Sequence, residues 1–85
     1  MDKDRAMHIG AVIKRLRKEI GYTQEELAEN SKLNRTYTGE LERNEKEPSL
    51  YVTFKLAKGF GLEPDQFVKI ISDTIDFNRM FEEEE

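Results

Sequence analysis

Arg35, Thr36, Gly39, Glu40 and Arg43 recur at the spacing of one helix face, and none of them is a large apolar residue. Such a face makes hydrogen bonds of fixed direction. A guanidinium offers a planar fork of donors, a hydroxyl donates and accepts, and a carboxylate accepts. The groups that break bonds are missing from the chain. No nucleophile stands beside a base, and no glycine-rich phosphate cradle or P-loop occurs. Cysteine is absent, which removes disulfides and thiolate metal ligands. His8 has no second histidine to complete a metal site and reads as a surface residue. The chemistry on offer is recognition, so no enzyme activity, cofactor, metal or small-molecule ligand is expected.

The recognition face needs a helix held out from the body of the protein. Thr23-Gln24-Glu25-Glu26 has the capping-box spacing, with Thr23 capping the N3 amide and Glu26 reaching back. A helix follows to about residue 30 or 31, with Leu27 and Ala28 inward. Residues 31–33 then separate it from Asn34, a good N-cap, and Leu33, Tyr37 and Leu41 give the next helix its inner stripe. Helices joined by so short a turn cross steeply, and the second projects. Residues 23–43 therefore read as a helix-turn-helix. A helix of this girth fits the major groove of B-DNA, and the helix N-terminus at Gln24 suits an approach to phosphate.

The remaining segments supply a platform. Ile9, Val12, Ile13, Leu16 and Ile20 mark one face of a first helix, basic residues 14, 15, 17 and 18 decorate the rest, and Gly21 can supply a left-handed stop. A polar loop over residues 43–47 ends at Pro48. Ser49 caps a fourth helix with Val52, Leu56 and Phe60 inward, widened by Phe54 and Ala57. Pro64 suits the first turn of a fifth, which carries Phe67, Val68, Ile70, Ile71, Thr74 and Ile75. No segment alternates like a strand. The expected fold is an all-α, five-helix domain over residues 8–75, followed by an acidic C-terminal tail over residues 76–85.

Eighty-five residues make one small domain with a modest core, for which help from a second subunit is unsurprising. The N-terminus does not have the apolar run of a signal peptide, and no stretch approaches the roughly 20 apolar residues of a membrane span. A soluble, cytoplasmic protein without membrane contact is expected. The net charge of -4 runs against the basic footprint of a DNA binder. Its distribution removes the objection. Residues 8–61 hold ten Lys or Arg against eight Glu, whereas residues 62–85 hold eight acids against Lys69 and Arg79. The acidity lies mostly in the tail, where a block of like charge is ordinarily a solvated end.

Thr23-Gln24-Glu25-Glu26-Leu27-Ala28, Leu33-Asn34-Arg35-Thr36-Tyr37 and Leu41-Glu42-Arg43-Asn44 together resemble the phage-repressor and Cro type of helix-turn-helix regulator. Pro48-Ser49-Leu50, Lys55-Leu56-Ala57-Lys58 and Gly61-Leu62 extend the likeness, which covers roughly residues 8–71. Within that family the recognition segment is most similar to the controller proteins of restriction-modification systems. The resemblance implies a lambda-repressor-like fold and a sequence-specific regulator bound to double-stranded DNA. It implies that Arg35 and Thr36 read bases and that Gln24 touches a phosphate or a base edge. Tyr37 would place its hydroxyl on a phosphate. Glu40 would accept from a cytosine amine or repel phosphate, and Arg43, Asn44 and Lys46 would line the backbone without reading sequence. Arg17 and Glu42 match an inner ion pair.

Four residues depart from the family pattern. Lys32 stands at the turn position usually held by glycine, and Thr38 replaces a branched aliphatic, which is expected to thin the packing. Gly39 and Gly59 interrupt helices, each at a cost of up to about 1 kcal/mol relative to alanine. The apolar residues of segment 70–81 read either as core completion or as the seam of a homodimer on a roughly palindromic operator. An antitoxin or other protein-interaction module using the C-terminal segment is the competing functional reading.

Overall fold

The structure is a computed structural model that describes residues 8–83; residues 1–7 and 84–85, including the last two glutamates of the acidic tail, lie outside it. Six helices follow in order: α1 Gly10–Ile20, α2 Gln24–Asn30, α3 Arg35–Glu42, α4 Leu50–Gly59, α5 Pro64–Thr74 and α6 Phe77–Glu82. No strand occurs among the described residues.

The helix boundaries follow from local chemistry. Gly21 adopts φ 91° and closes α1 by donating to the Arg17 and Lys18 carbonyls. At α2, Thr23 Oγ1 accepts from Glu26 N at 3.1 Å and Glu26 Oε1 accepts from Thr23 N at 2.8 Å. Asn34 Oδ1 accepts from Tyr37 N at 2.7 Å to start α3, and Ser49 Oγ accepts from Val52 N at 3.1 Å to start α4. Lys32 does take the left-handed turn, with φ 55°. Its strain is offset by the Leu33 N–H, which donates to the Ala28 carbonyl at 2.8 Å and seals the end of α2.

The core joins Ile9, Val12 and Ile13 to Leu27, Leu41, Leu56, Ala57, Phe60, Phe67 and Ile71. α1 packs on α3, α2 on both α3 and α4, and α4 on α5. Phe67 is wholly buried and meets the Phe60 ring at 5.5 Å, tilted by 56°. A fully buried side chain of this size contributes about 1.5–3 kcal/mol through lost water contact. The core therefore holds α2 and α3 from beneath and leaves their outer flanks open.

Five expectations change in detail. Ile20, the last residue of α1, lies past the core and is exposed, as is Phe54 on α4. Thr38 does not leave a polar gap. It is completely buried, and its hydroxyl donates to the Asn34 carbonyl at 2.9 Å. Gly59 is more than a poor helix former, because a Cβ there would overlap Ser31 Oγ and lie 3.2 Å from Ser31 Cα. The absent side chain is what lets the end of α2 approach α4. Finally, the C-terminal extension contains α6, capped by Asp76, whose Oδ1 accepts from Arg79 N at 3.0 Å. Among the described residues the helix count is six where the periodicity gave five, because α6 is only six residues long and its apolar residues Phe77, Met80 and Phe81 read as a C-terminal extension.

Candidate nucleic-acid interface

The joint between α2 and α3 is fixed by one buried carboxylate. Glu42 accepts from Arg17 Nε at 2.6 Å, Arg17 Nη2 at 3.1 Å and Gln24 Nε2 at 3.1 Å, while Arg17 Nη1 donates to the Tyr22 carbonyl at 2.9 Å. The implied inner ion pair is present, and it ties α1, the start of α2 and the end of α3 together. The hydrogen bond to Glu42 raises the Arg17 pKa, desolvation opposes that rise, and the Coulombic attraction of Glu42 adds to it. Desolvation also cancels much of the attraction, so the pair fixes geometry more than it adds net stability.

The expected site residues distribute unequally around this joint. Arg35 and Thr36 are exposed in the first turn of α3. Arg35 shares a shallow hollow with Arg17, Thr23, Gln24 and Glu25, at the open end of α2. Tyr37 is half-buried against the core and Glu40 is half-exposed. Gln24 has its amide nitrogen turned inward. Because a carboxylate only accepts, Glu42 takes the nitrogen end of that amide, and Oε1 lies on the side of Gly39.

Asn44, Arg43 and Lys46 lie past the end of α3. Asn44 adopts φ 61°, and its Oδ1 accepts from Gly10 N at 2.9 Å, so it tethers the start of α1. Asparagine is one of the few residues that enters the left-handed region readily, which suits it to the turn after α3. Arg43 is exposed and donates from Nε and Nη2 to the two Glu45 oxygens at 2.7 and 3.3 Å. That hydrogen bond raises the Arg43 pKa, with the Coulombic attraction of Glu45 second. Lys46 is exposed.

Two residues at this face escape sequence reasoning. Gly39 is assigned to the outer face by its helical position, yet it is buried, with Arg43 and Gln24 side-chain atoms nearest to it. Glu45 follows the end of α3 and has no periodicity to mark it; its contact depends on Arg43 folding back toward it.

The chain matches the Helix-turn-helix family over residues 13–67. It is 32% identical over 66 residues to an uncharacterised HTH-type transcriptional regulator of Sinorhizobium fredii, covering 78% of this chain and 86% of that protein. It is 37% identical over 62 residues to the immunity repressor protein of Bacillus phage phi105, covering 73% of this chain but 43% of that repressor. The crystal structure of the clp gene regulator ClgR from C. glutamicum superposes with a TM-score of 0.70 at 28% identity, over 85% of this chain and 92% of that one. With the capped α2, the short turn and the projecting α3 in place, the chain belongs to the helix-turn-helix family of transcriptional regulators, of the phage-repressor and Cro type.

Proposed function

We propose that this chain is a sequence-specific regulator that docks α3 in the major groove of a roughly palindromic operator as a homodimer in the cytoplasm. One observation carries the reading. The inner flank of α3 is locked by Arg17, Gln24 and Glu42, while Arg35 and Thr36 stand exposed at its open end. A rigid mount with a free hydrogen-bonding tip is what base recognition requires. Arg35 would donate to guanine, Thr36 to a neighbouring base, and Gln24, Tyr37, Glu40, Asn44 and Lys46 would set register along the strands. The acidic C-terminal residues keep non-specific affinity low.

The homodimer is supported by what the core leaves uncovered. Ile71 is buried and Ile70 and Ile75 pack on the core, so that part of segment 70–81 completes the monomer. Phe77 and Phe81, by contrast, are exposed on α6 and stack at 6.1 Å. A second copy covering them would place two recognition helices for half-sites roughly 34–36 Å apart. The same aromatic pair is the observation favouring the second reading, capture of a protein partner such as a toxin by an antitoxin.

Selection of bound sites from random duplex DNA tests the proposal. The expected product is an inverted repeat whose half-site centres lie about 10–10.5 base pairs apart. With Arg35→Ala, one position of each half-site loses its preference while a salt-sensitive residual affinity persists. A single asymmetric motif overturns the homodimer, and the absence of any enriched motif overturns the regulator.

A further inference from the structure

Gly39 sits inside an eight-residue recognition helix, where every residue but proline holds the helix better. Its φ does not fall in the left-handed region, so the backbone gives no reason for glycine. The reason is spatial. A Cβ at this position would lie 2.9 Å from Arg43 Nη1, 3.7 Å from Arg43 Cζ and 3.6 Å from Gln24 Oε1. The nearest atoms are thus a guanidinium reaching back from the end of the helix and a carbonyl oxygen at the start of α2. Each belongs to a side chain whose direction is set by a carboxylate. Glu45 takes the Nε and Nη2 edge of Arg43, and Glu42 takes the amide nitrogen of Gln24.

We propose that Gly39 is a slot that seats the Arg43 guanidinium against the recognition helix, and that the seated guanidinium reads a G·C base pair instead of clamping a phosphate. This inference rests on the DNA-binding reading and assigns Arg43 a different role from the one the family resemblance implies. A guanidinium carries two forks of donors. With Nε and Nη2 occupied by Glu45, Nη1 and the second proton of Nη2 form the fork that remains. That fork matches O6 and N7 of guanine, the pair of acceptors that guanine presents in the major groove. Gln24 Oε1, beside the slot, adds an acceptor for the cytosine amine of the same pair.

Charge separates reading from clamping. Glu45 neutralises Arg43, so the guanidinium brings directed donors with little net attraction for the phosphate backbone. A clamp works through its charge and releases counterions, whereas a compensated arginine discriminates without changing the salt dependence. Glu45 is then a positioning residue, and Gly39 is the space that allows the position.

A double-mutant cycle on the full chain tests this, using the selected operator and a version with each candidate G·C pair changed to A·T. Arg43→Ala is expected to weaken operator binding about tenfold and to erase the preference at one base pair of each half-site. The slope of log affinity against log salt should change by much less than the roughly 0.9 expected for one lost phosphate contact. Gly39→Ala raises the thermal midpoint, followed by circular dichroism, because alanine favours the helix, yet the displaced tip of Arg43 costs part of the same discrimination. The double variant binds no worse than Arg43→Ala alone. Additive losses overturn the slot, as does a Gly39→Ala variant that binds and discriminates like the parent. A uniform loss on every duplex with the slope reduced by about one makes Arg43 a phosphate clamp and overturns its reading role. In those cases the parent chain still recognises its operator, so the DNA-binding reading stands; a parent that recognises no operator overturns both.

Discussion

Two arginine–glutamate pairs flank α3 with nearly equal geometry and opposite surroundings. Arg17 Nε lies 2.6 Å from Glu42 Oε2, and Arg43 Nε lies 2.7 Å from Glu45 Oε2. The first pair's side chains are 11% and 2% exposed, the second pair's 55% and 48%. Burial decides what each can do. Removing one partner of the inner pair strands a charge away from water, a loss far greater than the net worth of the intact pair. Around the outer pair, water and salt screen the attraction, and stability barely registers it. The inner pair ties α1 to the end of α3, where Gln24 of α2 shares the same carboxylate, and the outer pair aims one side chain. Distance alone would have given them the same role.

Arg17→Ala puts the greatest strain on this contrast, since it leaves Glu42 buried with Gln24 as its remaining donor. Chemical denaturation should register a loss of about 3 kcal/mol. A loss below about 1 kcal/mol would mean that water reaches Glu42 and that the two pairs are alike. Gly59→Ala comes next and sharpens the picture of the core side. The overlap with Ser31 costs about 2 kcal/mol, more than the roughly 1 kcal/mol that alanine gains inside a helix. Ser31→Ala in the same chain should recover part of the loss, because Ser31 Oγ is buried with no hydrogen-bond partner among the described residues. Glu45→Gln should have the smallest effect, with no measurable shift in the denaturation midpoint. A shift comparable to that of Arg17→Ala would make the outer pair structural.

What the amino-acid order discloses is mainly local. The caps at Thr23, Asn34 and Ser49 need only a side-chain oxygen and an amide three residues on, so they can be read directly. The short turn and the inner stripes followed from spacing, and the inner ion pair from the family likeness. Contacts between distant segments stayed hidden. Nothing in the neighbourhood of Gly59 names Ser31 as its partner, and nothing near Asn44 names the Gly10 amide. The direction of Arg43 depends on a glycine one turn earlier and a glutamate two residues later, a combination that periodicity does not encode. Among the candidate site residues, exposure at Arg35 and Thr36 agrees with the helical wheel, whereas the burial of Gly39 contradicts it.

The brevity of the central helices has a consequence for how such a regulator would be switched. α2 has seven residues and α3 eight, and isolated helices below about 12–15 residues are marginal in water. The reading surface therefore has no existence apart from the core beneath it, and melting of the chain entails loss of the operator. Heat or a protease that opens the core would remove the reading surface in the same step, so the lifetime of the folded chain sets an upper limit on how long recognition can last.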